Sequence, residues 1–379
     1  MADKQITCYP TYGYKGNDGK WKISVRVLVH ESRTGSDSLS LLAPAAVGAA
    51  ELFTHRGIDR ESAEDFLKTR VADFLREGVA NQQIVFQFDD DPKTTSYPLT
   101  TDPDGLITTD ITVDPLKAPW VDGDGDRWLT YQASVPGGPV GKGRVQFLGA
   151  EGVSVISDID DTIKITEIPA GSEVVALNTF FRHFASVEQP DNMLSMYQGS
   201  ISTPGGFTLK PGVSFHYVSG GPWQLYRPLA GYLIDDRHFP AGSFHLRTVD
   251  LGHSATGLLK DLAGFVEKAF NLAQPAQIQQ NDTYKHKIDV IQKLMTALPG
   301  RKFLMFGDSG EFDPEVYEAI LSQPKFSQMV KETTIREVKG LAPNDPRRLE
   351  MQRLKMIVRD AKPIVHGKSQ FDASGQGST

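Results

Sequence analysis

Three aspartates and a threonine fall close together in this 379-residue chain: Asp158, Asp160, Asp161 and Thr162, within VSVISDIDDTIKIT at 153–166. Asp158 and Asp160 lie two positions apart, so in extended chain they share a face, and a turn can bring both into one site. Two such carboxylates repel unless a cation sits between them, and an oxygen-rich site with open positions suits Mg2+. The competing reading is a strand followed by a polar turn, where aspartate is common. Taken alone, the stretch does not choose between the two.

Three further places join an apolar run to polar groups. Phe215–Val218 runs into Ser219, Gly220 and Gly221, whose hydroxyl and amide groups could cradle a phosphate or could simply form a glycine-rich turn. Lys287 opens a helical pattern of Ile288, Ile291, Leu294, Met295 and Leu298. A cation near a helix N-terminus is disfavoured unless an anion lies nearby, although exposed helix lysines are common. Phe303–Phe306 ends in GDSGEFD, which carries Asp308 and Asp313. Asp313 precedes Pro314 and Glu315, so it reads equally as a helix N-cap and as a second metal ligand.

Together these elements have one coherent use. Asp158 attacks phosphorus and forms an aspartyl phosphate. Asp160 protonates the leaving oxygen and then deprotonates the water that clears the intermediate. Mg2+ held by Asp158 and Asp308 neutralises nucleophile and phosphate, while Ser219 and Lys287, with Thr162 and Gly220 beside them, hold the phosphoryl oxygens. Each motif is weak by itself; their order on successive strands carries the reading.

Positioning these groups requires a particular scaffold. Val153–Ser157 reads as a strand buried on both faces, so the carboxylates that follow stand at its C-terminal edge, where ligands bind in open α/β sheets. After it, helix Glu173–Phe184, strand Val213–Val218, helix Trp223–Tyr232, strand Ser243–Thr248 and a helix near Thr256–Ala269 alternate. Helix His286–Leu298, strand Lys302–Phe306, helix Pro314–Leu321 and strand Thr333–Val338 continue the pattern. Such alternation implies an α/β domain with a Rossmann-like parallel sheet over 150–340. Residues 166–210 are long enough only for a small cap insert. Ahead of it, 1–20 reads as a weakly ordered lead-in and 21–149 as a mostly β domain, a small sandwich with one helix over Glu61–Gly78. Its strands are expected at Trp21–Val29, Gln83–Phe88, Leu106–Val113 and Trp128–Val135. At the other end, 341–362 reads as a basic amphipathic helix. Arg347, Arg348, Arg353, Lys355, Arg359 and Lys362 outnumber Glu350 and Asp360, and an apolar stripe of Leu349, Met351, Leu354, Ile357 and Val358 could lie on a membrane or on the sheet. The tail, 363–379, has the composition of a disordered segment.

Composition narrows the function classes. Hydrophobic residues at 39% and charged residues at 23% fit a soluble globular protein. A formal charge of −7 argues against general affinity for nucleic acid. Cys8 is the single cysteine, which excludes an intramolecular disulfide and fits a reducing, cytoplasmic setting. The N-terminus lacks the apolar run of a secretory signal, and no segment approaches the roughly 20 apolar residues of a membrane span.

Two motifs mislead. Asp122, Asp124 and Asp126 imitate the start of an EF-hand loop, but Arg127 stands where glycine is needed and Ala133 where a bidentate glutamate is needed. GDSGE is similar to the nucleophile loop of chymotrypsin-like proteases, yet that fold is all-β, and Tyr217 rules out a G-x-S-x-G elbow at Ser219.

The four elements resemble the motifs of the haloacid dehalogenase-like phosphotransferases. SDIDDTIKIT, FHYVSGGPWQLY, FPAGSFHLRTVD, HKIDVIQKLMTALPGRKF and FGDSGEFDPEVY look more closely like the catalytic domain of the Mg2+-dependent phosphatidate phosphatases typified by the fungal actin-patch enzyme. The resemblance covers about 150–340. It implies hydrolysis of phosphatidate to diacylglycerol and phosphate, with His286 and Lys287 as a paired motif and the backbone carbonyl of Asp160 on the metal. Gly220 and Gly221 depart from it, since a second serine or asparagine usually follows the serine of that motif. A soluble phosphomonoester or a phosphoprotein would suit the same chemistry, and a non-catalytic lipid-binding module is the reading from another class.

Overall fold

The computed structural model describes residues 4–31, 60–89, 91, 93, 95–114, 127–186, 212–249, 270 and 277–361. Asp122, Asp124 and Asp126, most of the 166–210 insert, the helix expected near 256–269 and the 363–379 tail lie outside the described residues.

Strict alternation organises the first part. The strand β3 (Trp21–Glu31) buries Trp21, Ile23, Val25, Val27 and Val29 and leaves the intervening side chains half-exposed. Around it run β1 (Lys4–Cys8), β2 (Thr11–Lys15), β4 (Glu77–Gly78), β5 (Gln83–Phe88), β6 (Tyr97–Thr100), β7 (Leu106–Val113), β8 (Arg127–Ser134) and β9 (Val140–Leu148). They form one nine-stranded sheet of order β1-β3-β2-β9-β8-β5-β6, with β4 and β7 also paired to β3. Inward residues from distant strands, among them Val25, Phe86, Ile111, Tyr131 and Phe147, meet in one apolar cluster, so the sheet curls around a core of its own. The expected lead-in over 1–20 is therefore ordered: β1 pairs with β3, and β2 bridges β3 and β9.

The second sheet is parallel throughout. Its strands are β10 (Gly152–Ser157), β13 (Val213–Pro222), β14 (Ser243–Arg247), β15 (Arg301–Asp308), β16 (Val330–Glu337) and β17 (Ile357–Asp360), and β11 (Lys164–Ile165) pairs with β12 (Ala185–Ser186) in a separate two-stranded ribbon. The order is β14-β13-β10-β15-β16-β17, with β10 at the centre between β13 and β15. Continuous apolar runs are needed here because both faces are covered. Val155, Phe215, Leu304 and Phe306 face one apolar cluster; Ile156, Val218, Phe303 and Met305 face the other. The second face is covered by the helices Asp282–Ala297, Asp313–Leu321 and Pro346–Arg353. Among the described residues no helix is long and apolar enough to cross a membrane.

The boundary expected at 149–150 is crossed by packing. The helix Arg60–Val71 contributes Ala63, Leu67 and Val71 to the cluster that covers Val155 and Phe215, while Tyr12 and Leu148 join the cluster on the opposite face. Arg70 donates from Nη1 to the Thr179 carbonyl at 2.6 Å, and the Arg26 guanidinium lies 4.1 Å from the Trp223 ring centroid.

The basic amphipathic helix expected over 341–362 is corrected. Helix covers only Pro346–Arg353, capped by Asp345, whose Oδ1 accepts from the Arg347 amide at 2.9 Å. The chain then turns through Lys355, at φ 59°, into β17, which pairs with β16. The β-branched pair Ile357–Val358 suits an edge strand better than a helix. Two of the bases are also committed. Arg347 grips Glu315 (Nη2–Oε2 2.7 Å) and the Ser309 and Glu311 carbonyls, while Arg348 pairs with Asp360.

His30 on β3 is buried, bonded through Nε2 to Thr7 Oγ1 at 3.1 Å, and its Nδ1 has no partner. Burial, with Arg76 and Arg227 nearby, lowers its pKa from 6.5 to about 4. The unfolded chain therefore takes up a proton that the folded chain refuses as pH falls from about 6.5 towards about 4. Stability is expected to decline through that window, with the midpoint of thermal unfolding as the measure. His30→Gln, which does not titrate, is expected to flatten the decline, and an unchanged slope would remove His30 from the account.

Candidate active site

The site is built where β10 stops. The Asp158 amide still donates to the Phe306 carbonyl of β15 at 2.9 Å, so Asp158 is fixed as the last laddered residue. A single tight turn follows, closed by the Ile163 and Lys164 amides on the Ile159 carbonyl. Asp161 supplies the left-handed residue of this turn, at φ 57°, a conformation that aspartate tolerates better than most residues. Its carboxylate accepts three amide N–H groups: Thr166 at 2.8 Å, Glu167 at 2.7 Å and Ile168 at 2.7 Å. Arg336 of β16 donates to its carbonyl at 2.7 Å. Asp161 thus holds the loop in shape, which leaves its two neighbours free to face other groups.

Those neighbours face different surroundings. Asp158 Oδ1 accepts from Lys287 Nζ at 2.9 Å and Oδ2 from Thr162 Oγ1 at 3.0 Å. Asp160 Oδ1 lies 3.0 Å from Lys164 Nζ and accepts from Thr166 Oγ1 at 2.6 Å, while its Oδ2 accepts from Ser219 Oγ at 3.1 Å. Burial raises the Asp158 pKa well above the ordinary carboxylate value; Lys287 opposes this, but Asp313, Glu311 and Asp160 add to it. Burial acts on Asp160 in the same sense, yet Lys164, Thr166 and Ser219 outweigh it and hold this carboxyl below its ordinary value.

Lys287 is the hub. The helix Asp282–Ala297 begins on Asn281, whose Oδ1 accepts the Thr283 and Tyr284 amides, and Lys287 projects from its second turn. Its buried ammonium reaches Asp158 Oδ1 at 2.9 Å, Glu311 Oε2 at 3.2 Å and Asp313 Oδ1 at 2.6 Å. Burial works to lower its pKa, but Asp158, Asp313, Glu311 and Asp308 raise it well above the ordinary lysine value. His286 points elsewhere, with Nε2 3.1 Å from the His245 carbonyl.

Asp308 and Asp313 close the site from β15 and the helix after it. Asp313 does not cap that helix: it is the first helical residue, and its Oδ2 accepts instead from the Asp308 amide at 3.1 Å while Oδ1 serves Lys287. The approach is close enough that a Cβ on Gly307 would lie 2.5 Å from Asp313 Oδ2. Asp308 Oδ1 accepts from the Gly310 amide at 2.5 Å. Asp158, Asp308 and Asp313 each present an oxygen within 4.8 Å of the others, a donor set of hard carboxylates that could hold a divalent cation. The Asp160 carboxylate is turned away from this set, towards Lys164 and Ser219.

At the end of β13, Ser219 Oγ also accepts from the Gly221 amide at 2.9 Å, and the Gly220 carbonyl accepts from Arg247 Nε at 3.0 Å. The structure therefore brings together Asp158, Asp160, Thr162, Ser219, Gly220, Lys287, Asp308 and Asp313. Sequence reasoning assigned no part to Glu311, Lys164, Thr166 or Arg247. Glu311 stands between Asp308 and Asp313, and Lys164 lies four residues after Asp160, so proximity to named aspartates was the available signal.

Fold and site together define a parallel α/β domain that gathers carboxylates around one buried lysine at the carboxyl ends of its strands. Residues 153–268 and 259–337 match the family model described as Phosphatidate phosphatase APP1, catalytic domain, a stretch just short of half the chain. The chain is 26% identical to Phosphatidate phosphatase APP1 of Saccharomyces cerevisiae over 274 residues, 70% of this chain and 39% of that protein. It is 25% identical to an uncharacterized protein of Schizosaccharomyces pombe over 175 residues, 46% of this chain and 23% of that protein. The chain thus aligns with well under half the length of either relative. These similarities support the phosphatidate phosphatase APP1 family.

Removing the hub is expected to be costly. Lys287→Met keeps the length of the side chain but leaves Asp158, Glu311 and Asp313 buried against one another. A loss of about 3–5 kcal/mol is expected in urea denaturation with chelator present. A loss below about 1 kcal/mol would mean that the carboxylates settle by sharing protons instead.

Proposed function

We propose that this chain is a Mg2+-dependent phosphatidate phosphatase of haloacid dehalogenase-like fold, which releases diacylglycerol and phosphate through an aspartyl phosphate. The observation that carries it is the convergence of Asp158, Asp308 and Asp313 on Lys287 at the strand ends, inside the stretch similar to the APP1 catalytic domain. The central placement of β10 in an all-parallel sheet supports the fold assignment.

In this reading Asp158, Asp308 and Asp313 hold the cation. When bound there, Mg2+ supplies the positive charge that keeps Asp158 an anion and draws the phosphate towards it. An Asp158 oxygen attacks phosphorus as the bond from phosphorus to the glycerol oxygen breaks. Thr162, bonded to Asp158, fixes the angle of the nucleophile, and Lys287 compensates charge on the nucleophile and on the phosphoryl oxygens. Asp160 gives a proton to the leaving oxygen, then takes one from the water that attacks the aspartyl phosphate and restores Asp158. For the first of these steps the Asp160 side chain must turn from Lys164, which holds it ionised, towards the leaving oxygen and take up a proton from solvent, with Ser219 as its remaining partner. A cytoplasmic enzyme that meets phosphatidate peripherally fits the partly buried free thiol of Cys8. In this reading Arg347 and Arg348 serve the fold through their ion pairs with Glu315 and Asp360.

The test is a substrate panel of phosphatidate in mixed micelles and p-nitrophenyl phosphate, with Mg2+ or with excess chelator. Turnover of phosphatidate in Mg2+ and none in chelator is expected, with Asp158→Asn reduced at least about a thousandfold on both substrates. Turnover of the aryl ester alone would replace phosphatidate by a soluble phosphomonoester. No turnover of either would leave a binding module, and a well-active Asp158→Asn would overturn the covalent route.

A further inference from the structure

Arg70 is buried, at 5% exposure, in the helix Arg60–Val71. Its Nη1 donates to the Thr179 carbonyl at 2.6 Å, and its Cζ lies 3.8 Å from the ring centroid of Phe184 and 5.0 Å from that of Phe66. Among the described residues no carboxylate accompanies it, and burial lowers its pKa from 12.5 to about 9. A buried charge without a counter-ion is a poor stabiliser. Such a breach of the ordinary rules is expected where a functional site requires it.

What Arg70 touches leads to that site. The Phe184 ring serves a second cation, Lys164, whose Nζ lies 5.0 Å from its centroid. Phe184 directly precedes β12, which pairs with the strand of Lys164 in the register Lys164↔Ser186. Lys164 Nζ in turn lies 3.0 Å from Asp160 Oδ1. Thr166, the other partner of that oxygen, has its carbonyl held by Asn178 Nδ2 at 2.8 Å. Both groups on Asp160 Oδ1 are thus braced by one stretch, residues 178–186. Arg70 grips that stretch at two points, Thr179 and Phe184.

We propose that Arg70 is a positioning residue for the proton donor: through Phe184 and Lys164 it fixes the place from which Asp160 serves the leaving oxygen. This rests on the phosphatase reading above and gives the sequence ahead of the parallel sheet a part in the reaction. A leaving alkoxide needs the proton, whereas p-nitrophenolate leaves without it. The loss of Arg70 therefore falls mainly on alkyl esters, in the formation of the aspartyl phosphate.

The test compares kcat/KM of wild type, Arg70→Met, Arg70→Lys, Phe184→Leu and the double variant of Arg70→Met with Phe184→Leu. The substrates are dioctanoyl phosphatidate, glycerol 3-phosphate and p-nitrophenyl phosphate in Mg2+, with thermal midpoints measured alongside. Arg70→Met is expected to lower the ratio of alkyl-ester to aryl-ester kcat/KM about fivefold. Arg70→Lys, which keeps a cation over the ring, is expected to restore most of the ratio. Phe184→Leu is expected to lower it to a similar extent, and carries the test if Arg70→Met does not fold. In the double variant no further fall is expected, because the path is already cut. An unchanged ratio would overturn the proposal, whether all activities fall with the thermal midpoint, as for a structural role, or none does. Effects on the ratio that multiply in the double variant would overturn it as well. If wild type cleaves glycerol 3-phosphate but not phosphatidate, the lipid reading fails while the ratio for glycerol 3-phosphate still decides the role of Arg70. If it cleaves neither alkyl ester, both readings fall.

Discussion

One buried ammonium holds this site together. Lys287 Nζ is bonded at once to Asp158 from the central strand, Glu311 from the loop after β15 and Asp313 from the helix that follows. Three separate stretches of chain are thereby tied at one point, and none of their carboxylates could stay buried in that arrangement without the cation. Even so, Asp158, Asp308, Glu311 and Asp313 outnumber it. A set so rich in acid favours further positive charge beside it.

The first two aspartates of the D-I-D-D run illustrate how environment separates identical side chains. A reversal of direction inside one turn puts Asp158 against Lys287 and Asp160 against Lys164, each with its own ammonium and its own threonine. The third aspartate, Asp161, spends its carboxylate on three backbone amides. Substituting it would disturb Asp158 and Asp160 through the backbone. The division is thus between two side chains that face ammonium groups and one that shapes the loop presenting them.

Much of this could be read in the sequence, and what escaped has physical reasons. The strands at 152–157 and 301–308 were legible because a strand covered on both faces must be continuously apolar, and the acids that follow mark its exposed end. Asp313 was ambiguous because an N-cap and a ligand carry the same composition, and only the reach of its oxygens to Lys287 and the Asp308 amide separates them. Glu311 and Lys164 went unassigned because no spacing rule tells which acid in a loop turns inward. The basic pattern over 346–360 fits a helical stripe as well as a short helix plus an edge strand; the free edge of β16 decides the matter, and it lies in tertiary structure. The two opening strands were missed because Tyr and Gly in short runs signal turns as strongly as strands.

The helix Arg60–Val71 precedes the parallel sheet by some eighty residues in sequence yet shares an apolar cluster with Val155 and Phe215 at its centre. This ties the two parts of the chain together: cut before residue 150, the sheet would keep Asp158, Lys287, Asp308 and Asp313 but lose part of the cover over one face, the rest of which comes from residues such as Val175, Phe180, Leu229 and Leu233. The bared apolar surface is of the kind that drives self-association. During synthesis the order is reversed. The helix emerges first and must wait, unpartnered, until β10, β13 and β15 have been made, a long-range contact of the sort that slows folding. The amino-terminal sheet, with a core of its own, can form meanwhile and hold the helix near the place it will later occupy.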